Sequence, residues 1–108
     1  MHTISSRGIL RPTGDTYALP DEQLGIYDKI GVERGTLLPE INVECAFDTG
    51  TNREIQQIVA QYPTRFSRFC NIDPRMGGNS PDADLDYFVS YYKQQGARGV
   101  GEISANMY

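Results

Sequence analysis

The chain has 108 residues, a formal net charge of −4, and 39% apolar and 22% charged side chains, which suits one small globular domain and is neither disordered nor membrane-like. Its ten Lys and Arg residues are scattered among fourteen acids. Nucleic acid is thereby excluded as the main partner, since phosphate binding leans on clustered cations. No run approaches the ~18 apolar residues of a membrane span, and the polar segment after Met1 lacks a secretory core, so a cytoplasmic protein without a membrane partner is expected. Cys45 and Cys70 have neither scaffold nor CxxC spacing and read as two reduced thiols.

In chain order, residues 5–19 (SSRGILRPTGDTYAL) carry glycines, a proline and no clean period, and are expected to form one long surface loop. Pro20 then opens a helix: proline suits a first turn, and Asp21 and Glu22 suit its positive end. Leu24, Tyr27, Ile30 and Val32 supply an apolar stripe, and Gly31 a stop. RGTLLPE is a brief strand ended by Pro39, and residues 40–50 are loop.

In TNREIQQIVAQYP, Thr51 and Glu54 stand at capping-box spacing, and Ile55, Ile58, Val59 and Tyr62 share a helical face until Pro63. FSRFCNIDPR returns to strand character and leaves through Asp73-Pro74. Ser80 as cap and Pro81 as first residue predict a third helix with the stripe Leu85, Phe88, Val89 and Tyr92, closed by Gly96. RGVGEI, around Val100 and Ile103, is expected to be a short buried strand with Glu102 near its C-terminal end.

The strand candidates start near Gly35, Phe66 and Arg98, about 31 and 32 residues apart with a helix in each interval, which is βα alternation with a parallel sheet. A (β/α)8 TIM barrel of about 250 residues devotes about 31 to each unit, whereas doubly wound sheets vary more. The expected fold class is therefore α/β with parallel βα units, and 108 residues hold three units and the remnant of a fourth: either a small open sheet that ends naturally, or the first three to four units of a (β/α)8 barrel, residues 1–108 then being a single partial domain truncated after the fourth strand. A barrel segment has two bare sheet edges, so self-association through them is expected.

Parallel α/β proteins bind ligands at the C-terminal strand ends, where Glu102, Asp73 and His2 with its following loop fall. Glu102 reads as a metal ligand or general base, or as a solvated strand-end acid; Asp73, just before proline, reads more simply as turn chemistry. His2 is the sole histidine, too few imidazoles to complete a catalytic zinc or iron site within one copy. Arg7 and Arg11 suit a bidentate clamp on a substrate carboxylate, or are exposed solubilising charges. GDTYAL, GGNSPD and RGVGE match neither a P-loop nor a dinucleotide fingerprint, and no Gly-x-Ser-x-Gly elbow or Cys-His pair is apparent.

The ordered runs YDKIGVERGTLLPEINVEC, NREIQQIVAQYPTRFSRFCNIDPR and DADLDYFVSYYKQQGARGVGEISANMY resemble the N-terminal part of the amidohydrolase-related metal-dependent hydrolases over essentially the whole chain. The resemblance implies a TIM barrel whose first strand ends in His-x-His, two ligands of a divalent metal, often zinc. Met1-His2-Thr3 looks like the tail of that motif, with His2 as its second histidine and the first preceding Met1. By the same resemblance Glu102 matches a fourth-strand position where some relatives keep an acidic metal ligand. It implies a catalytic role for Glu102 and orientation of a small anionic substrate by Arg7 or Arg11. The family's remaining ligands, after the fifth, sixth and eighth strands, have no counterpart here.

The implied activity is metal-activated water attacking a C–N or C–O bond, or decarboxylation of an unsaturated or aromatic acid, with the isolated chain catalytically incomplete. The competing reading, supported by the single histidine, is a small non-catalytic α/β binding or assembly module.

Overall fold

In the computed structural model, which describes residues 1–5, 17–40 and 50–103, helix α1 (Pro20–Ile30) starts at the proline that suits a first turn. The Glu22 carboxylate accepts the Leu19 N–H at 3.0 Å, and Gly31 ends the helix in the left-handed conformation, φ 74°. Strand β1 (Gly35–Leu37) follows. Helix α2 (Asn52–Gln61) is capped by Thr51, whose hydroxyl accepts the Glu54 N–H at 3.0 Å. Strand β2 (Phe66–Arg68) leads into a 3₁₀ turn (Pro74–Gly77) and helix α3 (Leu85–Gln94).

β1 and β2 are parallel, with Gly35 beside Phe66, Thr36 beside Ser67 and Leu37 beside Arg68. Two further segments extend this pair. Leu38 N–H donates to the Met1 carbonyl at 2.7 Å on one side. On the other, Cys70 and Val100 form a parallel bridge, flanked by bonds from Arg98 to Arg68 and from Gly101 to Cys70. The chain's N-terminus, β1, β2 and residues 98–101 are thus spatial neighbours in sequence order.

Side chains alternate across a strand, so Gly35, Leu37, Phe66, Arg68 and Cys70 share a face. α1 and α2 pack there, and the C-terminal end of α3 reaches the same face. Tyr27 of α1 lies on Gly35 and meets Phe66 edge-on with ring centroids 6.2 Å apart. Ile55 and Ile58 of α2 join Leu37, Phe66 and Tyr27 in the core, with Met1, Leu24, Val32, Val59 and Tyr62 around it. Burying each Leu, Ile or Phe contributes about 1.5–3 kcal/mol. Arg68 donates to the Gln95 carbonyl at the end of α3, where the negative end of the helix dipole favours a cation. The opposite face carries the Thr36 and Ser67 hydroxyls, bonded at 2.9 Å, and the half-buried Phe69.

Among the described residues the chain is therefore α/β, with three helices and a two-stranded parallel sheet. Three details differ from the sequence expectation. α3 starts at Leu85, capped by Asp84, because Ser80 and Pro81 are taken into a turn in which Ser80 bonds Asp82 and Ala83. Ile30 is 66% exposed, since steps of three residues drift about 60° around a helix and carry it off the Leu24–Tyr27 face. Residues 98–103 reach only the single bridge at Val100. Val100 and Ile103 are exposed because, among the described residues, only β2 flanks them. Among the described residues, no helix is long and apolar enough to cross a membrane.

Candidate functional site

His2 is placed by the residues around it. Met1 is tied to β1 through Leu38, Thr3 and Ile4 are buried, and the Thr3 hydroxyl donates to the Ala18 carbonyl at 2.5 Å. Ser5 donates its N–H and its hydroxyl to the Glu54 carboxylate, both at 2.6 Å. The imidazole is thereby fixed at the exit of β1. Its Nδ1 lies 2.9 Å from the Leu38 carbonyl oxygen and its Nε2 lies 3.2 Å from Glu102 Oε2.

A second acid completes the cluster. Glu40 Oε2 stands 3.9 Å from His2 Nδ1 and accepts the Tyr17 hydroxyl, and the Tyr17 ring lies 5.4 Å from the imidazole, centroid to centroid. The Met1 amino group lies close by; burial lowers its pKa, and the Glu102 carboxylate draws it back up. The His2 side chain is 21% exposed and that of Glu102 is 53% exposed, so the cluster opens to solvent on the Glu102 side.

Hydrogen-bond chemistry decides what the pair can hold. A carbonyl oxygen only accepts, so Nδ1 carries a proton toward Leu38. In the neutral ring, Nε2 is then a lone pair facing a carboxylate oxygen. Two acceptors at 3.2 Å need a proton or a cation between them. A backbone carbonyl on the far nitrogen is also the arrangement that orients a metal-ligating histidine. His2 Nε2 and Glu102 Oε2 thus fit one edge of a divalent-cation site, with Glu40 on the Nδ1 side. Among the described residues, no group of three or more His, Cys, Asp or Glu is placed to hold a metal.

Glu102 itself is held from behind. The Asn71 side-chain amide donates to the Glu102 carbonyl, and the Gly101 N–H donates to Cys70 O at 2.8 Å. Asp73 is occupied in its own turn: it accepts the Arg75 N–H at 2.9 Å and grips the Arg75 guanidinium at 2.8 and 2.7 Å. This is the turn chemistry read from Asp-Pro. Cys70 is a buried free thiol. Arg7, Arg11 and Cys45 lie outside the described residues.

Glu40, Tyr17 and Asn71 are not among the residues that the sequence singles out. Glu40 carries the same signal as Glu102, an acid just past a strand end, but Pro39 places it in a loop by sequence. Nothing local marks Tyr17 or Asn71. Compared with protein-family models, curated proteins and solved structures, the chain matches none of them.

Proposed function

We propose that the chain is the leading βα portion of a metal-dependent hydrolase of the amidohydrolase-related type, with His2 and Glu102 as donors to a divalent cation. The observation that carries this reading is His2 Nε2, set 3.2 Å from the Glu102 carboxylate while Nδ1 contacts the Leu38 carbonyl. The order of the neighbouring segments and the placing of α1, α2 and the C-terminal end of α3 on one sheet face support a barrel segment, because a doubly wound sheet carries helices on both faces. A divalent ion, zinc being the expected one, supplies an acidified water and polarises the bond under attack. On this reading, His2 binds through Nε2. Glu102 binds or exchanges a proton at Oε2, on the solvent-open side where a small substrate enters. Arg7 and Arg11 are proposed to orient an anionic substrate, and decarboxylation is the variant reaction of the same site.

The test is equilibrium dialysis of the intact protein against zinc and cobalt, with His2→Ala in parallel. Binding that His2→Ala removes supports the proposal. Binding unchanged in His2→Ala takes the imidazole out of the site, and a wild-type protein that binds neither ion favours the non-catalytic α/β module.

A further inference from the structure

We infer that Asn71 is a positioning residue for Glu102, part of an amide relay with Asn52 that fixes where the carboxylate meets His2. The inference deepens the cation-site reading above and rests on it for its meaning.

Glu102 has little else to hold it in place. It sits beyond the single bridge at Val100, between Gly101 and the exposed Ile103, and its side chain is 53% exposed. A glutamate on so glycine-rich a segment has main-chain freedom to lose. Asn71 removes it. This residue is 6% exposed, and its amide nitrogen donates to the Glu102 carbonyl. Its own backbone is clamped in turn: Asn52 Oδ1 accepts the Asn71 N–H and Asn52 Nδ2 donates to the Asn71 carbonyl, both at 2.8 Å.

One side-chain amide thus satisfies both main-chain groups of Asn71, as a neighbouring strand would. Asn52 is the first residue of α2, directly after the Thr51 cap. The relay therefore runs from α2 through the segment after β2 to Glu102 and His2. The residue type is specific. Aspartate, the isostere, sets an acceptor against the Glu102 carbonyl, and alanine leaves that carbonyl without its donor.

The experiment compares Asn71→Asp, Asn52→Ala and His2→Ala with the wild-type protein in two readouts. The first needs no metal: the nuclear Overhauser contact between His2 Hε1 and Glu102 Hγ, resolved because His2 is the sole histidine. The second is zinc affinity by dialysis. Asn71→Asp is expected to lose the contact and to weaken zinc binding about tenfold or more, the usual effect of removing a group behind a metal ligand. Asn52→Ala does the same in smaller degree. Thr36→Val, which breaks the Thr36–Ser67 pair in the sheet, lowers stability and leaves both readouts at wild-type values.

Retention of both contact and affinity in Asn71→Asp overturns the inference, as does absence of the contact in the wild type. If His2→Ala binds zinc as the wild type does, the cation reading alone falls, and the contact still decides the role of Asn71.

Discussion

The Tyr27 ring lies so close over Gly35 that a β-carbon at Gly35 would overlap the Tyr27 hydroxyl oxygen and stand 2.7 Å from Cε2. The hydroxyl in turn donates to Met1 Sδ at 2.7 Å, so this missing side chain lets α1 close on β1 and on the N-terminal segment together. Gly35→Ala is expected to cost about 1–3 kcal/mol, as overpacking does, seen as a lower urea midpoint with an unchanged slope. Gly25, inside α1 with open space for 4 Å around the position a β-carbon would take, is the control. Gly25→Ala should gain about 0.5–1 kcal/mol. A Gly35→Ala protein as stable as the wild type would remove Tyr27 from its place on the strand.

Glu54 ties the N-terminal segment to α2. Its carboxylate accepts from Ser5 N–H and Ser5 Oγ at 2.6 Å and from Gly50 N–H at 2.5 Å, and only 9% of the residue is exposed. Glu54→Gln replaces one acceptor oxygen by a donor facing an N–H. Bonds to a charged group contribute about 1.5–3 kcal/mol, and the variant should lose about that much in urea titration. It should also release residues 1–5, seen as faster amide exchange at Thr3 and Ile4 than at Leu37. Equal exchange at all three positions would show that Glu54 does not hold the segment.

The same residues show how far the sequence can be read. Thr51 and Glu54 at capping-box spacing correctly mark the start of α2, and Pro20, Gly31 and Pro63 mark helix ends, because these signals act within one turn. What the spacing cannot show is that the Glu54 side chain serves Ser5, a contact spanning 49 residues of sequence. The site divides likewise. His2 and Glu102 are legible as strand-end groups, and the fold brings them together. Asn71 and Tyr17 act through partners set by tertiary packing, which no local pattern encodes. The start of the third helix is misleading in the sequence because Ser80-Pro81 also satisfies a turn, and local sequence alone does not choose between the two.

Arg68 is 3% exposed, and among the described residues its Nη1 has no hydrogen-bond partner. Burial lowers its pKa, with Cys70 and Tyr92 acting in the opposite sense. A buried charge without full pairing contributes little net stability, and an apolar residue of similar shape is often neutral or better by about 1–4 kcal/mol. Arg68→Met is therefore expected to match or exceed the wild type in thermal and urea unfolding, despite losing the bond to Gln95. A loss of more than about 2 kcal/mol would mean that Nη1 is paired in the intact protein.

Burial pushes the Cys70 thiol above its usual value of 9.0, with the Arg68 guanidinium drawing it part of the way back. The consequence for stability has a definite sign. Below 9.0 the thiol is protonated in both folded and unfolded chains, and its contribution is fully present. As pH rises past 9.0 the unfolded chain releases the proton while the folded one retains it, so stability falls until the raised native value is reached. Tyr27 and Tyr92 are also raised by burial, but from 10.0, so the window between 9.0 and 10.0 belongs mainly to the thiol. In a Cys45→Ser background, the urea midpoint should decline across that window, and adding Cys70→Ala should flatten the decline while lowering the midpoint at about pH 7. Parallel declines in the two proteins would mean that Cys70 ionises as freely in the folded chain as in the unfolded one, and that the face shared by β2 and α3 is open to water.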